Sequence, residues 1–193
     1  MTDANTLDTE AVSQWLSTHL DDFSGPLTAE KFAQGQSNPT YLLKTPTRDY
    51  VLRRKPAGVL LKSAHAVERE FRVQKALAAS DVPVAHMYVL CEDTSVIGSA
   101  FYVMDAIKGR SFGEPTMPSL APAERHAVID EMNRVLAAIH DVDITAAGLA
   151  DYGPEGNYYA RQISRWAQQY EASQTTKIPD MTALIDWLQS NIP

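Results

Sequence analysis

Apolar positions along the chain first repeat with a helical spacing. Within TEAVSQWLSTHL (9–20), Val12, Trp15, Leu16 and Leu20 fall three or four residues apart, which predicts an amphipathic helix packed on the main body. After Gly25–Pro26 the spacing shortens. LTAEKF (27–32), TYLLK (40–44), DYVLR (49–53), AHMYVLC (85–91) and AFYVMD (100–105) are rich in Tyr, Phe, Val and Leu and are joined by turn residues, so they read as strands of an antiparallel sheet. Between the third and fourth strands, SAHAVEREFRVQKALAAS (63–80) predicts a helix with Ser63 as its N-cap.

The pattern becomes wholly helical beyond Pro118. PAERHAVIDEMNRVLAAIH (122–140) places Val128, Met132, Val135, Leu136 and Ile139 on one stripe, which predicts a long core-facing helix opened by Pro122. NYYARQISRWAQQYEAS (157–173) and DMTALIDWLQSN (180–191) carry comparable stripes through Tyr159, Ile163, Trp166 and Tyr170, and through Met181, Leu184, Ile185 and Leu188. The reading is an N-terminal helix over 1–25, an α/β lobe over 26–107 and an all-helical portion over 108–193. The turn-rich stretch KGRSFGEPTMP (108–118) forms the boundary, and two lobes invite a cleft between them.

Composition narrows the function classes. At 193 residues with 45% apolar and 21% charged residues, the chain is long and apolar enough to bury a core. One cysteine, Cys91, excludes an internal disulfide framework and a cysteine-rich zinc site. No apolar run reaches the length of a membrane span and the first residues are acidic, so neither a span nor a secretion signal is expected, and the cytoplasm is the expected location. A net charge of −7 argues against a nucleic-acid binder. That charge is uneven: residues 44–75 hold nine Lys/Arg against three acids. Such a basic island is either a solvated face or a site for a small polyanion such as a nucleotide.

The first lobe holds the groups that bear on this choice. AQGQSNPT (33–40) joins the first two strands and offers the backbone freedom of Gly35 with the small polar groups of Gln36, Ser37 and Asn38. It is neither a dinucleotide fingerprint nor a Walker loop, and it serves equally as a hairpin turn or as a cover for phosphates. In the third strand, the period of two sets Val51 and Arg53 on one face and Leu52 and Arg54 on the other. Glu70 lies on the apolar stripe of the following helix, with Ala66, Val67, Val73 and Leu77. A carboxylate so placed needs a counter-charge, because burying it alone costs several kcal/mol. Arg53 is the candidate partner; the alternative is that Glu70 reaches the edge of the stripe and pairs with Arg69 or Gln74.

A strand cation held by a helix carboxylate beneath a phosphate-covering loop is the arrangement that protein kinases use on ATP. The blocks GQSNPTYLLK, YVLRRKP, SAHAVEREFRVQKAL, VPVAHMYVLCED and GSAFYVMDAIKGR, in that order, resemble the aminoglycoside phosphotransferase family, and especially its branch associated with acyl-CoA dehydrogenases. The resemblance covers roughly residues 25–193. It implies an α+β, protein-kinase-like bilobal fold: a five-stranded antiparallel N-lobe with one main helix, then the first helices of an incomplete helical C-lobe. It further implies that Gly35, Gln36, Ser37 and Asn38 cover the nucleotide phosphates through backbone N–H groups. Arg53 stands where many kinases carry lysine, with Glu70 as its helix partner, and Val51 packs on the purine. Met104, Asp105 and Ile107 form the hinge, the Asp105 carbonyl and the Ile107 N–H pairing with the base.

The implied activity is transfer of the terminal phosphate of ATP or GTP, with Mg²⁺, to a hydroxyl of a small molecule, either aminoglycoside-like or a hydroxylated acyl metabolite. In that family the acceptor-orienting aspartate and the metal ligands lie on an HGDxxxxN loop and a later aspartate. Neither occurs here, and His140-Asp141-Val142-Asp143 lacks the spacing. The sequence is therefore expected to be an N-terminal portion of a longer enzyme that holds nucleotide without transferring phosphate. Its exposed helices would then favour homo-oligomerisation or a partner chain. Two other readings stay open: a naturally short, pseudokinase-like module that holds nucleotide or a partner, and an assembly domain with a merely solvated basic island.

Overall fold

The computed structural model describes residues 7–33, 37–56, 65–154 and 156–192. Helix α1 (Thr9–His19) is followed by strands β1 (Thr28–Lys31), β2 (Thr40–Lys44) and β3 (Asp49–Arg54), then helix α2 (Val67–Leu77). Strands β4 (Met87–Cys91) and β5 (Phe101–Asp105) complete a sheet, and helices α3 (Pro122–His140), α4 (Tyr158–Ser173) and α5 (Pro179–Ser190) follow. The sheet order is β1-β2-β3-β5-β4, with every neighbouring pair antiparallel. Among the described residues no helix is long and apolar enough to cross a membrane.

Alternation along the strands divides the sheet into two faces. Tyr41, Leu43, Tyr50, Leu52, Phe101 and Val103 meet Val12 and Leu16 of α1 on one of them. The Asp8 carboxylate caps α1 by accepting from the Ala11 N–H at 3.0 Å, and Trp15 sets its ring edge-on to Phe101 at 5.2 Å. On the opposite face, Val67 and Phe71 of α2 pack on Met87, Ala100 and Tyr102. The packing expected for the N-terminal helix is thus realised as one cover of a sheet whose other cover is α2.

Helix α2 starts later than the sequence pattern predicts. His65 adopts φ of 60°, the left-handed region, so a right-handed helix cannot run through it. Ala66 is the N-cap and supplies no side-chain hydrogen bond; Ser63, the expected cap, lies outside the described residues.

The prediction that α3 faces the core needs correction. No residue of α3 is buried: Val128 and Val135 are partly covered, while Met132, Leu136 and Ile139 are exposed. Helical periodicity fixes which side chains share a face, but not whether anything covers that face, and among the described residues it stays largely open. The described chain forms two compact units, residues 1–149 with the sheet and α1–α3, and residues 150–193 with α4 and α5. Within the second unit, α4 buries Ala167 and partly covers Ile163 and Tyr170, whereas Tyr159 and Trp166 are exposed.

Candidate nucleotide site

Strand β3 presents Val51 and Arg53 on the α2 face of the sheet, and helix α2 aims Glu70 back at the strand. Arg53 Nε donates to Glu70 Oε2 at 2.7 Å and Nη2 donates to Oε1 at 3.5 Å, which settles the choice of partner for the carboxylate. Gln74 instead donates to the backbone carbonyl of Glu70 and to the Tyr102 hydroxyl. Two further donors converge on Glu70: Asn38 Nδ2 at 2.8 Å and the Tyr102 hydroxyl at 3.1 Å. A carboxylate has room for about four such bonds, so Glu70 is close to saturated.

Arg53 is held from its other side as well. Nη1 donates to Thr40 Oγ1 at 3.1 Å and, at 3.5 Å, to the Asn38 carbonyl. Of the five guanidinium N–H bonds, one on Nη2 has no acceptor among the described residues. Its neighbour Arg54, on the α1 face, is the more deeply covered of the two at 6% exposure.

Asn38 ties this pair to the β1–β2 connection. It is 2% exposed, its amide nitrogen is committed to Glu70, and its Oδ1 faces His65 Nδ1 at 2.9 Å. Since Oδ1 can only accept, His65 carries its proton on Nδ1. The Asn38 side chain is therefore spent inside the protein, and only its backbone could face a phosphate. Ser37 is exposed; Gly35 and Gln36 lie outside the described residues.

Beside Arg53 lies a cavity of about 360 Å³ lined by Val51, Met104, Ala85, Phe32 and Thr40, and bounded by Asp105 and Ile107. Val51, Met104, Asp105 and Ile107 therefore gather around one hollow, with the guanidinium at its edge. Ile107 is 72% exposed, and its N–H makes no hydrogen bond among the described residues. A hollow of about 770 Å³ runs along α3, but its lining is mainly that helix's apolar stripe and includes no comparable convergence of donors.

Burial pushes the Tyr102 hydroxyl up to about 12, helped by the charge of Glu70 and opposed by Gln74 and Arg53. Burial also pushes Tyr88 up to about 12, with the Asp105 carboxylate adding to the effect and Arg48 opposing it. Each native phenol thus keeps its proton at pH values where the unfolded chain, near 10, has lost it. The unfolded state then binds fewer protons, and stability falls as pH rises. A phenolate absorbance titration is expected to show these two tyrosines ionising late, and the melting temperature should drop between about pH 10 and 12. Ionisation of all eight tyrosines near 10 in the folded chain would contradict it.

Sequence reasoning missed Tyr102, Thr40, Phe32 and His65. A signal for Tyr102 was present: it lies opposite Arg53 in the β3–β5 register and two residues before Met104, so it shares their face. Nothing local marks His65, whose part depends on a loop 27 residues earlier in the chain.

The model for the phosphotransferase enzyme family (APH) matches residues 28–193. The chain belongs to that family. A solved structure from Ralstonia eutropha assigned to the aminoglycoside phosphotransferases is 53% identical, with a TM-score of 0.80 over 97% of this chain and 54% of that one. The fold of this phosphotransferase-family chain is accordingly α+β and protein-kinase-like. Its curated relatives include mouse acyl-CoA dehydrogenase family member 10, 47% identical over 92% of this chain, and human family member 11, 42% identical over 96%. The probable acyl-CoA dehydrogenase IBR3 of Arabidopsis thaliana is 46% identical over 84%. The chain spans 16%, 24% and 21% of the lengths of those three proteins.

Proposed function

We propose that the hollow beside Arg53 receives the purine of ATP or GTP and that Arg53 receives its phosphates, as the donor half of a kinase acting on a hydroxyl of a small molecule. The observation that carries the reading is the Arg53–Glu70 ion pair at 2.7 Å on the rim of an apolar cavity. Glu70, Thr40 and Asn38 hold the guanidinium in one orientation, so little ordering remains when a phosphate arrives. Val51 and Met104 offer apolar faces to a base, and the Asp105 carbonyl and Ile107 N–H offer one acceptor and one donor to its edge. Backbone N–H groups of Ser37 and Asn38 would add anion donors.

Mg²⁺, when bound, would neutralise charge on the transferred phosphoryl group. Among the described residues no three metal-ligating side chains converge, so no ligand is assigned to it. The acyl-CoA dehydrogenase names of the relatives support a hydroxylated acyl acceptor over an aminoglycoside. The absence of HGDxxxxN from the 193 residues favours a second reading for this chain by itself, as a nucleotide holder without turnover.

Thermal melts with Mg²⁺ and ADP, ATP or GTP test the assignment. Nucleotide at about one hundred times its Kd should stabilise the chain by about 2.7 kcal/mol, and Arg53→Ala should lose most of that gain. Melting curves that none of the nucleotides moves would remove the assignment. Phosphate transfer by the 193-residue chain would remove the second reading and keep the first.

A further inference from the structure

Strand β4 contains an irregularity whose purpose the nucleotide reading leaves open. Met87 pairs with Met104 and Val89 with Val103, so Tyr88 is the extra residue of a bulge. Bulges re-aim side chains, and this one sends both Tyr88 and Val89 to the α1 face. There the Tyr88 ring stands edge-on to Tyr50 at 5.3 Å and to His86 at 4.6 Å. Its hydroxyl donates to Asp105 Oδ1 at 2.5 Å and accepts from Arg48 Nη1 at 2.6 Å.

Asp105 ends β5 and opens the stretch whose backbone bounds the cavity. By the strand's alternation its carboxylate belongs with Phe101 and Val103 on the α1 face, away from the hollow. Its N–H donates to the His86 carbonyl at 3.0 Å, next to the bulge. The strand end is thus pinned twice to residues 86–88, once by main chain and once by the phenol. Beyond it, Ile107 is exposed and no bond among the described residues holds its N–H. The path of residues 105–107 therefore depends on the pin at Asp105.

We propose that Tyr88 is a positioning residue for purine recognition: through the Asp105 carboxylate it fixes the backbone that reads the base, without touching the nucleotide. Arg48 completes the relay by orienting the phenol so that its proton points at Asp105. The proposal rests on the nucleotide assignment above and adds a division of labour, with the base read at the Tyr88 end of β5 and the phosphates held at the Arg53 end.

The test compares two probes on the 193-residue chain by calorimetry with Mg²⁺: ADP, and inorganic tripolyphosphate, which has no base. Tyr88→Phe removes one hydrogen bond to a charged acceptor and should weaken ADP about tenfold. Tripolyphosphate should stay within about twofold, since its partner Arg53 is untouched. Asp105→Ala should reproduce the selective loss. Asp105→Asn, which keeps a side-chain oxygen to accept from Tyr88, should restore ADP binding, and this pair decides the matter if Tyr88→Phe does not fold. Equal losses for both probes, or none for either, would overturn the positioning role. A wild-type chain that binds ADP no more tightly than tripolyphosphate would overturn the purine assignment itself, and the pin with it.

Discussion

Replacing Glu70 by leucine is expected to cost the chain about 3 kcal/mol, because three donors lose their acceptor together and one is a guanidinium. The site is partly open, with Arg53 and Glu70 side chains 28% and 33% exposed, so water reclaims some of Arg53 and the loss stays below that of a fully interior pair. Asn38 and Tyr102 have no such recourse at 2% and 1% exposure, and they carry most of the penalty. Glu70→Gln should fall between, since it keeps one acceptor oxygen and turns an NH₂ toward a donor. Urea unfolding of Glu70→Leu, Arg53→Ala and the double variant gives the coupling directly. Strictly additive losses would mean that the ion pair does not hold the site together.

Phe101→Ala should cost more, about 3–5 kcal/mol, as a large aromatic is removed from a filled interior. Phe101 is fully buried, sits under α1 and meets the edge of Trp15. The loss should appear as a lower urea midpoint with an unchanged slope, and the α1 cover should loosen with it. Ile129→Ala is the matched control, because Ile129 is 46% exposed on α3 and its truncation should stay within about 0.5 kcal/mol. Equal effects from the two substitutions would mean that the core is not the one described.

Local patterning made most of the elements legible. Among the described residues the five strands and five helices follow from periods of two and of about 3.6, and α3 begins where its pattern does because Pro122 opens it. The Arg53–Glu70 pair was also legible, since strand alternation and the helix stripe each left one charge in need of a partner. What the pattern could not supply were contacts created by folding. Asn38 reads as one more polar loop residue, yet it bridges two segments; His65 reads as part of a helix, yet its left-handed backbone delays the start of α2. The bulge at Tyr88 depends on the partner strand's register, and the exposed face of α3 on what lies beside it. Neither is a property of a single segment.

The outer margin of the sheet carries its own consequence. Strand β1 is four residues long, with Glu30 joined to Lys44 at 2.9 Å and Lys31 next along the strand. A neighbouring molecule that approached this margin to extend the ladder would meet paired charges on a run too short to grip. Crowding should therefore not extend the sheet through β1, and any self-association at that margin would have to give way to contacts through exposed apolar side chains such as Met132 and Leu136 of α3.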